Sequence, residues 1–308
     1  MINTKIIQQA QNRLFAGSEF ADLSLLFVAI VWGSSYSVAK TALLYMPVLA
    51  FLFVRFSLTS FIMIPTSWKH ISVQPLAVMK TGVPLGIILF LIFICETAGI
   101  ANTSASNAAF LISLCVVFTP IVEGITFRQF PGWGILFATG LSCIGAAMLA
   151  LQGGYQFNTG DWLMLSAAVL RACMVTATKK ITQGKPLNSG ALTVVQLLTV
   201  AVLTGLVLLV VESASLVFPS ESVFWIATLY LCVMCTLFPF YIQTHMVRKT
   251  TPTRVSLLMG TEPVFGAIFA VLLLNEQMSL QAVFGGALIV TATYLGIRLM
   301  TTRSLGRR

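Results

Sequence analysis

The stretch SASNAAFLISLCVVFTPIVEGITFRQ at residues 104–129 aligns without gaps to TPTRVSLLMGTEPVFGAIFAVLLLNE at 251–276. Ser104 meets Thr251, Ala105 meets Pro252, Ser106 meets Thr253 and Phe118 meets Phe265. At a second constant offset Asp22, Lys40 and Pro47 fall on Asp161, Lys179 and Pro186. The identity is thin, but the offsets set like apolar runs on each other: first with sixth, second with seventh, fourth with ninth. One unit of five runs is therefore used twice. Five is odd, so a second copy in a membrane must cross in the opposite sense to the first. Inverted repeats of this kind build secondary transporters, with the substrate held near the midplane between the halves.

The apolar runs themselves demand a membrane. Of the 308 residues 57% are hydrophobic and only 9% charged, whereas soluble domains carry about 25% charged residues. Too little polar side chain exists to cover a water-facing surface, which excludes a soluble enzyme, a disordered tail and a nucleic-acid binder. A spanning helix needs roughly 20 mostly apolar residues. Pro, Gly and charge clusters divide the chain into ten such runs, at 21–43, 47–66, 77–98, 103–127, 131–151, 161–181, 187–212, 222–246, 252–274 and 279–300. Gly82, Pro84 and Gly86 interrupt the third. Backbone groups cannot stay unpaired in lipid, so the runs are expected to be helices. The fold class is an all-α membrane protein of ten transmembrane helices. Residues 1–20 form a cytoplasmic N-terminal segment, 21–151 the first five-helix repeat, 161–300 the second, and 301–308 a basic cytoplasmic tail.

The formal net charge of +9 is distributed by side. Lys5 and Arg13, Lys69 and Lys80, Arg128, the group Lys179, Lys180 and Lys185, the group Arg248, Lys249 and Arg254, and the tail Arg298, Arg303, Arg307 and Arg308 all fall on one side of a ten-span topology. Only Lys40 sits near the other. The positive-inside rule then places both termini in the cytoplasm and the chain in the inner (plasma) membrane. The first twenty residues lack the apolar core of a cleavable signal peptide, and Ile2, Ile6, Ile7, Leu14 and Phe15 suit a short amphipathic helix on the membrane surface. All six cysteines, Cys95, Cys115, Cys143, Cys173, Cys232 and Cys235, lie in apolar runs, which argues for packing rather than disulfides. The Cys232–Cys235 pair has no further ligands to complete a zinc site, and no metal or cofactor is expected.

Two blocks carry a family resemblance. WGSSYSVAK at 32–40, followed by FVRF at 53–56, resembles the opening of the EamA-type proteins of the drug/metabolite transporter superfamily. TTPTRVSLLMGTEPVFGAIFAVLLLNEQMSLQAVFGGALIV at 250–290 resembles that family's second-repeat signature, including Glu262-Pro263 and Asn275-Glu276. The first repeat departs from it, with Cys115-Val116 and Arg128-Gln129 at those places, so a mechanism using matched acids in both halves is not expected. The resemblance spans the whole chain and implies a ten-helix transporter, frequently an exporter of amino acids or other small metabolites, that hydrolyses no ATP. Independently, no GxxxxGK[ST] loop is present to cradle phosphates.

Charges at membrane depth are expensive and mark function or pairing. Arg55, Arg171 and Glu262 fall near the middles of runs two, six and nine, with Glu96 and Glu123 nearer the ends of three and four. Glu262 reads equally as a ligand for a substrate amine or a proton, and as the structural partner of Arg55 or Arg171. Arg171 shares a helical face with Ala167, Ala168, Met174 and Thr178, which suits a cavity wall and a substrate carboxylate. Arg55, between Phe53 and Phe56, reads as structural, and with Glu96 and Glu262 forms the set of coupling or ion-pair candidates. Trp32 and Tyr36 lie one turn apart in mid-span, where their N–H and O–H need partners, and read as a pocket wall. Asn107 joins them from the small-residue start of run four. Tyr241 and Gln243 follow Pro239, an expected kink, and His245 reads as a solvated residue near the inner end.

The expected function is secondary export of amino acids or similar small polar metabolites by alternating access, with substrate contacts from Trp32, Tyr36, Asn107, Arg171, Tyr241 and Glu262. The alternative within the class is efflux of lipophilic cations, with Glu262 as counter-ion and Trp32 as stacking platform. A membrane-embedded enzyme is the alternative from another class; no HExxH pair or GxSxG turn supports it. The partners are the small-molecule substrate and the lipid bilayer, not nucleic acid. No pattern specifies an oligomer, and a monomer is the default.

Overall fold

A computed structural model describes residues 2–150, 157–211, 218–274 and 279–305. Asn275, Glu276 and the last residues of the basic tail lie outside the described residues, as do the side chains of the first nineteen. The described residues are mainly helical, with no strand among them. α1 runs from Ile2–Ala42, α2 from Val48–Val73 and α3 from Pro75–Asn102. The fourth span is broken into α4, Ala105–Ser113, and α5, Cys115–Phe127. α6 (Trp133–Ala150), α7 (Thr159–Thr182) and α8 (Ser189–Val211) follow. The eighth span is α9, Ser222–Cys232, a π-helical turn at Val233–Leu237, and α10, Phe238–Lys249. Another broken run follows, α11, Pro252–Met259, and α12, Glu262–Leu274; α13, Leu280–Leu305, is the last described helix. Eight described helices or joined helices are long and apolar enough to cross a membrane, and Trp133–Met148 is a shorter apolar one.

Two boundaries differ from the sequence reading for clear reasons. α1 runs on without a break through the segment expected to form a separate surface helix. α3 is continuous through Gly82, Pro84 and Gly86, in place of the expected interruption. Its glycines serve contact instead: a Cβ on Gly82 would lie 2.7 Å from Val195 and one on Gly86 2.5 Å from Thr199, so α3 and α8 pack backbone against side chain. Small residues permit this approach where lipid supplies no hydrophobic drive between helices.

The kink expected at Pro239 takes another form. The chain absorbs the proline with the π-helical turn just before it, where the Thr236 hydroxyl donates to Leu231 O at 2.7 Å. Proline has no N–H for the carbonyl four residues back, which here is Cys235 O. That carbonyl accepts the indole N–H of Trp32 at 2.9 Å instead.

The packing pairs elements of one half with those of the other. α2 lies along α8 and α6 along α13. α1 packs on α12 as α7 packs on α5, and α4 packs on α12 as α11 packs on α5. A chain of aromatics crosses the interior, from Trp32 to Phe240 (5.4 Å between rings), to Phe93 (5.6 Å) and to Phe56 (4.5 Å). All six cysteines are free; Cys232 Sγ donates to Arg55 O at 3.3 Å and Cys235 Sγ to Val31 O at 3.8 Å.

Candidate functional site

The site begins at the break between α11 and α12. After Met259 the backbone turns at Gly260 and Thr261, and Glu262 opens α12 in its first turn. A carboxylate there lies at the positive end of a helix dipole, a favourable place for an acidic side chain. α1 crosses this point at very short range: a Cβ on Gly33 would lie 2.8 Å from Gly266 N and from Phe265 Cβ. Only glycine allows that approach, and it places Tyr36, less than one turn on, against the acid.

Glu262 is then held from two sides. The Tyr36 hydroxyl donates to Oε1, and Arg171 Nη1 from α7 donates to Oε2 at 3.3 Å. The Arg171 guanidinium also lies over the Trp32 ring, 4.1 Å from its centroid. Glu262 is 1% exposed and Arg171 7%, so the pair is withdrawn from solvent. Pairing and hydrogen bonding are what make two buried charges tolerable in this setting. Trp32 is fixed in turn by its bond to Cys235 O, so four of the residues singled out in the sequence form one cluster: Trp32, Tyr36, Arg171 and Glu262. Between the two partners weighed for Glu262, the structure pairs it with Arg171.

Arg55 is placed elsewhere. Its Nε donates to Thr236 Oγ1 at 2.9 Å, and its guanidinium lies 5.3 Å from the Phe93 ring and 5.8 Å from Phe56. It makes no salt bridge with Glu262. Glu96, half-buried on α3, is within Coulombic range of Arg55, Arg171, Tyr36 and Glu262. It makes no ion pair among the described residues. Asn107 is buried near the start of α4, where its backbone N–H donates to the capping Ser104 hydroxyl at 3.2 Å; its carboxamide does not bond to the cluster.

Tyr241 does not join the site. It is 38% exposed, stacks on His245 with ring centroids 5.9 Å apart, and faces a separate cavity. The physical reason is the wide turn ahead of Pro239, which sets the face of α10 differently from a plain kinked helix. His245 is half-buried and sits 3.4 Å from Ser189 Oγ, not freely solvated. Glu123 accepts the backbone N–H of Thr253 at 2.8 Å and also its hydroxyl, which ties α5 to the start of α11.

Three contacts go beyond the sequence reading. Cys115 and Ser256 link the two broken spans, Ser256 Oγ donating to Cys115 O at 3.2 Å. Thr236 holds Arg55, and Cys235 O holds Trp32. The last is recoverable from sequence, since a proline in a helix always frees the carbonyl four residues earlier; the other two depend on which helices meet.

Comparison with known proteins gives the arrangement its context. A 26% identical relative from Archaeoglobus fulgidus, described as an uncharacterized transporter, matches over 90% of this chain and 85% of its own length. A 26% identical protein of Salmonella typhimurium, described as a probable amino-acid metabolite efflux pump, matches over 88% of this chain and 93% of its own. One solved crystal structure has the same fold, with a TM-score of 0.73 at 17% identity over 91% of this chain and 97% of that one. The family model of the EamA-like transporters matches twice, at residues 19–151 and again at 158–298. Those matches take in both broken spans and every member of the buried cluster, and the chain belongs to the EamA-like transporter family.

Proposed function

We propose that the chain is a secondary transporter of the inner membrane that exports amino acids or similar small metabolites. Two inverted five-helix halves would alternate access to the Arg171–Glu262 site. The observation that carries the reading is the buried Arg171–Glu262 pair at the start of a half-helix. An internal ion pair mimics the charges of an amino acid: a substrate carboxylate can take the place of Glu262 beside Arg171, and a substrate ammonium the place of Arg171 beside Glu262. The exchange leaves the net charge of a low-dielectric site unchanged. Trp32 and Tyr36 would wall the pocket, with Asn107 approaching from α4.

Several facts support the inverted arrangement. Under the offset that aligns Ser104 with Thr251, the two breaks coincide, Leu114 on Thr261. Lys40 donates to Thr103 O at the end of α3, and its counterpart Lys179 to Arg248 O near the end of α10, at 2.8 and 3.0 Å. Broken helices at the midplane are the usual setting for substrate sites in such carriers. The charge map supports cytoplasmic termini.

The lipophilic-cation reading is weaker, because Arg171 already occupies both partners it needs, the Trp32 face and the Glu262 carboxylate. A permanent cation would have to enter beside a fixed guanidinium. Glu96 is the coupling candidate, since it is a half-buried carboxylate on α3 whose charge is felt by Tyr36, Arg171 and Glu262 and which makes no ion pair among the described residues.

The test is a thermal-shift panel of amino acids, nucleosides, polyamines and lipophilic cations on the detergent-solubilised protein. At a hundredfold excess over its dissociation constant a ligand stabilises by about 2.7 kcal/mol. An amino-acid shift that Arg171→Ala abolishes is expected. A shift by lipophilic cations alone, lost in Glu262→Gln, would overturn the substrate class.

A further inference from the structure

The cavity that Tyr241 faces, of about 660 Å³, opens at the end of the bundle where α7 passes into α8 and α10 ends. Lys179, Lys185, Arg248 and Lys249 line it, with His245 and Asn188, and no carboxylate is among the lining residues. Such a concentration of one sign, walled by polar groups, is unusual in a chain with so few charges.

The frame of this cavity is fixed by its own hydrogen bonds. Arg248 Nη1 donates to Leu187 O at 2.5 Å and to Ser189 Oγ at 2.8 Å, and Nη2 to Lys185 O at 3.0 Å. One guanidinium therefore staples the α7–α8 loop to α10. Lys179 Nζ is spent on Arg248 O at 3.0 Å and feels the charge of Glu123. Lys185 makes only a 3.5 Å contact to Thr81 Oγ1, and Lys249 is exposed. These two ammonium groups are the ones left to bind. Asn188 caps α8, its side chain accepting from Ala191 N at 3.1 Å, so the positive end of a 23-residue helix adds to the same field. The His245–Tyr241 stack forms the opposite wall.

We infer that this cavity is an anion site for a phosphate-bearing group, either the headgroup of an acidic phospholipid or a free phosphate ester. It lies apart from the Arg171–Glu262 cluster and does not rest on the substrate assigned there. Its size suits a substituted phosphate rather than a bare halide. Basic pockets among helix ends on the positive side of a membrane protein take acidic headgroups by this chemistry.

The experiment is native mass spectrometry of the full chain with dioleoyl phosphatidylglycerol and dioleoyl phosphatidylcholine, with glycerol 3-phosphate as soluble competitor. Phosphatidylglycerol adducts are expected to outlast those of phosphatidylcholine. Lys185→Gln and Lys249→Gln should each weaken retention about fivefold, and together about 30-fold. The double change to Arg, K185R/K249R, should keep it, which separates lost charge from lost fold. Displacement of the lipid by glycerol 3-phosphate assigns the site to free phosphate esters; its failure to displace assigns it to the headgroup. Equal retention of the two lipids with no glycerol 3-phosphate adduct overturns the inference. So does retention that the Gln variants leave unchanged.

Discussion

The two broken spans, α4–α5 and α11–α12, are one backbone carrying two different chemistries. Each bends at the aligned position, Leu114 in one and Thr261 in the other, and each resumes with a new helix. The residue that opens the new helix is Cys115 in the first and Glu262 in the second. Cys115 Sγ meets Ser256 Oγ at 3.8 Å, a weak neutral contact. Glu262 takes Tyr36 and Arg171. The bend is therefore a property of the scaffold, while the charge is a property of one half. A carrier can be built on a symmetric frame and still bind through a single asymmetric pair.

The largest expected effect comes from splitting that pair. Arg171→Met leaves a buried carboxylate with only Tyr36 beside it and should destabilise the protein by about 3–5 kcal/mol. Replacing both partners, Arg171→Met with Glu262→Met, removes both desolvation costs and should recover most of that loss. Thermal unfolding of the two variants in detergent measures this, and transport should be absent in both. If the double variant is no more stable than the single one, the charges are not each other's partners.

Next comes the approach of α1 to α12. Gly33→Ala places a methyl 2.8 Å from Gly266 N and 3.0 Å from Glu262 O, backbone atoms that cannot swing aside. Overpacking of this kind costs about 1–3 kcal/mol. Gly140→Ala, where the added methyl would meet nothing within 4 Å, should cost little by the same assay.

How much of this is legible in the residues alone follows from the range of each interaction. Helix count, span limits and the buried charges are local: they need only an apolar run and a polar residue inside it. Trp32, Tyr36, Arg171 and Glu262 stand out in the sequence because each breaks the pattern of its own run. Their convergence depends on α1, α7 and α12 meeting at one depth, which a linear sequence does not state. Tyr241 falls outside the site because Pro239 is met by an inserted π-helical turn, which rotates the residues after it, and a lone proline does not distinguish that from a kink. Gly82 and Gly86 mislead in a similar way, because a close helix contact and a helix break use the same residue.

A smaller effect isolates the π-helical turn. Trp32→Phe removes the donor to Cys235 O and should cost about 1–3 kcal/mol, the range for an orphaned buried acceptor. Pro239→Ala restores a backbone N–H four residues after Cys235. The double variant should therefore lose less than the sum of the two single changes, a coupling that unfolding of the four proteins detects. Additive losses would show that Cys235 O is satisfied in some other way.

The two ends of the bundle extend the comparison between halves. Asp161 and Asp22 are aligned, and each ties a long helix to a neighbour, Asp161 from the first turn of α7 and Asp22 from the middle of α1. Asp161 is buried and accepts from Thr103 Oγ1 at 2.8 Å and from Asn158 N at 2.7 Å, bonds to neutral donors. Asp22 is partly exposed and takes a two-pronged bond from Arg254, Nε to Oδ1 at 2.9 Å and Nη2 to Oδ2 at 2.6 Å. An ion pair reached by water is screened by salt, and its loss costs under about 1 kcal/mol. Asp22→Asn should thus have the smallest effect on unfolding, and one that fades as salt is raised. Asp161→Asn should cost more and respond less to salt, since the carboxylate is buried and the bonds from Thr103 and Asn158 come from neutral donors. Matching salt dependence in the two variants would mean that the aligned acids do equivalent work, and that the asymmetry between the halves stops at the midplane.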